Sequence, residues 1–211
     1  LTDRIEHIVV LMLENRSFDN VFGGLYPDAT RAGSFRGLIG NESNPIDPSR
    51  PESGSAPVTQ GPPSEATWIT PYPDPGELHA DIMKQLFGTG ATAFSKTPPM
   101  SGFVWNYLQQ PGAPEKVGGG ILPPAAANIM QYYSGATMPV SWYLAREFAV
   151  CDTWFASGPV QTYANRIFAH CGTPGLVPGT HAARVDNPDF MKGVAQGEWL
   201  LHAFFSPPVT E

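Results

Sequence analysis

Positive charge, cysteine and long apolar runs are what this sequence has least of. Lysine and arginine number 12 against 19 acidic residues in 211, a formal net charge of -7. No basic patch is visible, which excludes an ordinary nucleic-acid-binding surface. No apolar run approaches the roughly 18 residues that a membrane-spanning helix needs. The apolar stretch at residues 8–13 is also too short for a secretory signal and runs at once into charged residues. The only two cysteines, Cys151 and Cys171, have apolar or aromatic neighbours, so buried thiols are the default expectation. Whether they pair, and in which compartment the protein works, is not legible from two cysteines. No internal repeat is present.

Glycine and proline are abundant, at 22 and 23 residues. Hydrophobic residues still make up 42% of the chain, so the composition describes a loop-rich globular protein and not a disordered one. The length suits one sizeable core, or a part of a larger domain. Residues 1–211 are read as a single domain with a loop-rich insertion at about 27–75, rich in Pro, Gly and Ser. A loop that long inside a compact domain is often a lid or a substrate-binding insertion, and a surface linker is the plain alternative.

The stretch from Arg4 to Tyr26 reads RIEHIVVLMLENRSFDNVFGGLY. Its apolar run, rich in β-branched residues, predicts a central strand covered on both faces. The run ends abruptly at Glu14-Asn15-Arg16-Ser17, a cluster that a core would reject. Ligand sites of open α/β sheets lie at the carboxyl ends of strands. Glu14 and Asn15 place a carboxylate and an amide oxygen side by side, as a hard cation requires. A strand followed by a helix capped by Asn15 or Ser17 is the simpler reading of the same residues.

Further along, a short helix is expected from Phe18 to Leu25, stopped at Gly23-Gly24, and another from Glu77 to Phe87. Met100 to Leu108 forms an apolar patch, and Ala125 to Tyr133 reads as helical. Val140 to Phe148 predicts an amphipathic helix with Trp142 or Tyr143, Leu144 and Phe148 facing inward. A short strand is expected at Ala149–Asp152 and a helix at Ile167–Cys171, stopped by Gly172. Between them lies SGPVQTYANR, residues 157–166. A hydroxyl at a strand-to-helix turn is well placed to act as a nucleophile, because a helix N-terminus favours anionic oxygens nearby. Ser157 and Thr162 are the candidates, with Arg166 able to pair bidentately with a phosphate-like group. A Thr162 that merely caps the helix fits the spacing equally well.

The block IEHIVVLMLENRSFDNVFG, with its hexapeptide ENRSFD, resembles the opening of the bacterial phosphoesterase family that contains phosphatidylcholine-type phospholipases C and AcpA-type acid phosphatases, in the alkaline phosphatase superfamily. MPVSWYLAREFAVCDTWFASGPVQTYANR followed by FAHCGTPG agrees, as do GFVWNY and DPGELHADIMKQLFG. Several ordered blocks between Ile5 and Gly175 carry more weight than one motif. The resemblance implies an α/β fold, an alkaline phosphatase-like sheet flanked by helices, of which this chain would be the N-terminal part. It implies Glu14 and Asn15 as metal or phosphate ligands, Thr162 as nucleophile, and Asn165 shaping the substrate phosphate pocket, with Arg166 the weaker candidate for binding substrate. It also implies a divalent metal ion, a phospho-enzyme intermediate, a phosphate ester or phospholipid substrate, and export to an extracellular or periplasmic address. His79 sits near the place where the family often has a histidine, and a solvated helix histidine is the alternative.

The sequence departs from that pattern after about residue 175. Family members are about twice as long or more, and their later half supplies an acidic pair and histidines. His181, Asp186, Asp189 and His202 are present here but in a different context. A non-catalytic or degenerate phosphate- or phospholipid-binding fragment is therefore the second reading. Sulfatase-like chemistry is a third, against which stands the absence of a Cys/Ser-x-Pro-x-Arg motif: residues 162–166 read TYANR.

Overall fold

In the computed structural model, residues 5–13, 16–26, 35–61, 71, 74–88, 97–111 and 125–188 are described. The architecture mixes short helices with two small sheets, of α/β type. In chain order the elements are α1 (Phe18–Phe22), β1 (Ser43–Pro45), β2 (Ser55–Pro57), β3 (Thr59–Gln60), α2 (His79–Phe87), α3 (Phe103–Leu108), α4 (Ala126–Ile129), β4 (Gln131–Tyr132), α5 (Pro139–Glu147) and α6 (Thr162–Cys171). No helix among the described residues is long and apolar enough to cross a membrane.

Helix α1 starts where its chemistry directs. Ser17 is extended, and its hydroxyl accepts from the Asn20 N–H at 3.1 Å, which satisfies one of the orphan donors of the first turn. The helix stops at Gly23, and the following Leu25 is fully buried against Trp142 and Ala145 of α5. Phe22, Tyr26, Phe35, Met138 and Val150 close around this nucleus. The indole N–H of Trp142 donates to the Val21 carbonyl at 2.8 Å, so the largest side chain of α5 buries its one polar atom with a partner. Asn20 in turn donates to the Gln131 carbonyl at 2.7 Å, tying α1 to β4.

Within the 27–75 insertion, residues 35–61 do not trail over the surface as a linker. β1 and β2 pair antiparallel with Asn44 opposite Ala56, and β3 runs parallel to β4 with Thr59 opposite Gln131. The Asn44 amide bridges to α3: it donates to the Met100 carbonyl at 2.8 Å and accepts the Val104 N–H at 3.1 Å. Asp47 closes the hairpin turn, accepting from the Ser49 hydroxyl at 2.6 Å and from the Arg50 guanidinium at 2.7 Å. Hydrogen bonds from Ser49 and then Arg50 hold its carboxyl down to about 2.

Helices α2 and α3 meet through the fully buried Asn106. Its amide donates to Asp81 at 3.0 Å and accepts from Gln85 at 2.9 Å, and Gln85 also donates to the Gly76 carbonyl at 2.7 Å. A buried amide is tolerable only when its donors and acceptors are met in this way.

Several expectations are corrected. Residues 8–13 pair with no strand among the described residues, and Ile8, Val9, Val10 and Leu11 are 74–92% exposed. A strand buried on both faces needs neighbours in its ladder, and these residues have no ladder partner among the described residues. Residues 149–152 likewise form no strand. In α5, Trp142 and Ala145 face the core, whereas Tyr143, Leu144 and Phe148 are exposed. Val140, Leu144 and Phe148 recur every fourth residue and so form a second apolar stripe away from the core. Cys151 and Cys171 are free thiols and both exposed, not buried: the first lies in the extended stretch after α5 and the second at the open end of α6. The helix expected over Ala125–Tyr133 is α4 alone, after which the chain turns into β4.

Leu25→Ala should destabilise the fold by about 2–5 kcal/mol, because it empties the centre of the α1–α5 nucleus. Urea unfolding of the two proteins measures this. For Asp47 the carboxyl is more acidic folded than the ordinary 3.8, so its stabilisation is complete above that pH and is lost as the pH falls through about 2. Wild type should therefore exceed Asp47→Asn in stability at neutral pH, and the gap should close across that acid window in urea titrations at stepped pH.

Candidate functional site

The predicted helix around Ile167 begins five residues earlier, at Thr162. Gln161 is the extended residue before it, and Gly172 ends it in the left-handed conformation at φ 69°. Thr162 is therefore the first helical residue and not the cap. The cap comes from elsewhere: the Asn187 side-chain oxygen accepts the Tyr163 N–H at 2.8 Å, and the Asn187 N–H donates back to the Gln161 side-chain oxygen at 2.9 Å. This is the reciprocal logic of a capping box, assembled from residues far apart in sequence.

The chain returns to the start of α6 by a tight turn-rich excursion. Gly172, Gly175 and Gly179 all adopt positive φ, which side-chain-bearing residues rarely do. Leu176 and Ala183 pair as an antiparallel bridge, so Val185 arrives beside Gln161 and accepts its N–H at 2.8 Å.

Thr162, Asn165 and Arg166 share one side of α6, being three and four residues apart. Thr162 is half-buried and Asn165 exposed, while Arg166 is only 8% exposed. The Arg166 guanidinium points to the Met12 carbonyl at 3.5 Å. Met12 stands two residues before Glu14, so α6 touches the end of the first apolar segment. Glu14 and Asn15 themselves lie outside the described residues. Ser157, the other candidate hydroxyl, is exposed and lies ahead of the helix.

His79 is not a solvated surface histidine. It is the first residue of α2 and half-buried, and its Nδ1 lies 2.5 Å from the Pro159 carbonyl, three residues before Thr162. A carbonyl oxygen only accepts, so Nδ1 is the donor in this contact. The His79 N–H donates to Asp186 Oδ1 at 2.6 Å. Asp186 and Asn187 thus serve the starts of α2 and α6 respectively. Asp186 appears among the leftover acids of the sequence and Asn187 not at all. An Asp-Asn pair before proline signals a turn or a cap, but not which helix it caps.

Among the described residues no three His, Cys, Asp or Glu side chains cluster closely enough to hold a metal ion.

The model of the Phosphoesterase family matches residues 5–198. The chain belongs to that family. Non-specific phospholipase C1 of Arabidopsis thaliana is 38% identical over 169 residues, covering 80% of this chain and 28% of the relative. Phospholipase C A of Mycobacterium tuberculosis is 31% identical over 176 residues, with 80% and 29% covered. Non-hemolytic phospholipase C of Pseudomonas aeruginosa is 28% identical over 188 residues, with 88% and 22% covered. The chain thus spans less than a third of the length of these phosphoesterase-family relatives. The family match takes in Glu14, Asn15, His79, Thr162, Asn165 and Arg166, and also Asp186 and Asn187.

Because Asn187 and not Thr162 caps α6, Thr162→Ala should change stability by no more than about 0.5 kcal/mol, against about 1 kcal/mol for loss of a true cap. Thermal melts of the purified variant and wild type check this.

Proposed function

We propose that this chain carries the nucleophile half of a phosphoric ester hydrolase of the phospholipase C kind. The observation that carries the reading is the Arg166–Met12 contact at 3.5 Å, which draws the Thr162 helix to the segment that leads into Glu14 and Asn15. The names of the relatives favour a phosphodiester lipid such as phosphatidylcholine over a phosphomonoester.

In this reading the Thr162 hydroxyl oxygen attacks phosphorus in line with the leaving alcohol. The P–O bond to diacylglycerol breaks as the Thr162–phosphorus bond forms, and the threonine proton leaves to solvent or a base while the alkoxide takes one up. Water then attacks the phosphothreonine ester and releases the phosphorylated headgroup. The first turn of α6 favours the negative charge of the phosphoryl oxygens. Asn165, on the same side of the helix, supplies an amide N–H to one of them, and the Arg166 guanidinium beneath supplies fixed positive charge in a partly desolvated place. His79 holds the turn ahead of Thr162 through the Pro159 carbonyl.

Glu14 and Asn15 would be the ligands of a divalent metal ion, which when bound would acidify a coordinated hydroxyl. The described residues do not build a metal cage by themselves, and two ligands fall short of the six or so that hard cations take. The finer fold proposal follows the same line. An alkaline phosphatase-like sheet flanked by helices, of which this chain would be the N-terminal part, is proposed on the family resemblance. An extracellular or periplasmic address is proposed on family habit.

The alternative, a fragment that binds phosphate or phospholipid without turnover, is favoured by the same lack of a metal-ligand cluster among the described residues. The discriminating experiment is headgroup release from phosphatidylcholine, and p-nitrophenol release from p-nitrophenyl phosphate, with and without added divalent metal. Turnover that falls by about a thousandfold or more in Thr162→Ala is expected. Lipid binding with no turnover under any metal would select the non-catalytic reading, and an unchanged rate in Thr162→Ala would remove Thr162 from the mechanism.

A further inference from the structure

Three segments distant in sequence meet at the start of α6. The Pro159 carbonyl contacts His79 Nδ1 at 2.5 Å, the His79 N–H reaches Asp186 at 2.6 Å, and the Gln161 N–H reaches the Val185 carbonyl at 2.8 Å. Asn187 completes the ring by exchanging hydrogen bonds with Tyr163 and Gln161 at 2.8 and 2.9 Å. The tripeptide Val185–Asp186–Asn187 therefore serves the first turns of α2 and α6 at once.

We propose that this tripeptide is a positioning clamp: through Asn187 it sets the first residue of α6, Thr162, and through Asp186 it holds His79 against the same turn. The inference deepens the reading of Thr162 as nucleophile and rests on it. The physical reason is geometric. A residue at the first helical position has its backbone fixed only if the first-turn N–H groups have acceptors, because no earlier turn of the helix supplies them. Gln161 cannot supply the acceptor locally, since its side chain makes no cap to its own helix. Asn187 provides it instead, from a segment that Gly172, Gly175 and Gly179 fold back. In-line attack is sensitive to displacements of an ångström or less, so a frayed first turn costs rate. Neither Asp186 nor Asn187 is placed in contact with substrate; both act through Thr162 and His79.

The test compares wild type, Asn187→Ala, Asn187→Asp and Asp186→Ala by two readouts. The first is amide hydrogen exchange, which needs no turnover: Asn187→Ala should speed exchange at Tyr163, and Asp186→Ala at His79, each by about tenfold. The second is steady-state kinetics on p-nitrophenyl phosphate: Asn187→Ala should lower kcat by about tenfold with KM changed less than about threefold, and Asn187→Asp, which keeps an acceptor for the Tyr163 N–H, should restore most of the loss. Unchanged exchange at Tyr163 overturns the clamp. Faster exchange with wild-type kcat also overturns it, because the bonds would then be structural only. If Thr162→Ala abolishes turnover while Asn187→Ala keeps the wild-type rate, the clamp fails and the nucleophile reading stands. If wild type turns over no phosphate ester while exchange responds as stated, the catalytic reading fails and, with it, the positioning role, leaving the tripeptide as a structural latch.

Discussion

Everything at the candidate site depends on where α6 begins. A helix can start at any of several neighbouring residues unless something accepts its first N–H groups, and anchoring a neighbouring residue at that acceptor would turn every later side chain by about 100°. Here Asn187 and Val185 accept at Tyr163 and Gln161, so Thr162 takes the first helical position. Arg166 then falls one turn below on the same side, facing the Met12 carbonyl, while Asn165 stays in solvent. A start one residue later would move Arg166 off that contact.

The α1–α5 nucleus packs around Leu25 and Trp142. The hairpin β1–β2 is fastened through Asn44 to α3, and the Asn106 network joins α3 to α2. His79 begins α2, so the orientation of that helix reaches the site through the contact with Pro159. Buried amides at Asn44 and Asn106 do much of the joining, and a fully bonded buried amide tolerates few alternative arrangements.

A large apolar area remains exposed, at residues 8–11 and at Val140, Leu144, Phe148, Trp154 and Phe155. The run at residues 8–11 and the α5 stripe of Val140, Leu144 and Phe148 are each apolar patches of the kind that ordinarily marks an interface. The chain matches less than a third of the length of its family relatives, and that surface is consistent with the proposal that further strands and helices complete the sheet.

Local patterns were legible in the sequence. The helices α1, α2 and α5, the stop at Gly172 and the membership in a phosphoesterase family all follow from spacing, caps and ordered blocks, which are properties of neighbouring residues. The exposure of both cysteines and of Leu144 and Phe148 did not, because which apolar stripe finds a partner is settled by what packs against it. Nor did the shift of the α6 start from Ile167 to Thr162, the engagement of His79, or the roles of Asp186 and Asn187. Those depend on hydrogen bonds spanning 24 to 107 residues of sequence, and a donor's partner at that range is chosen by the folded chain and not by its neighbours.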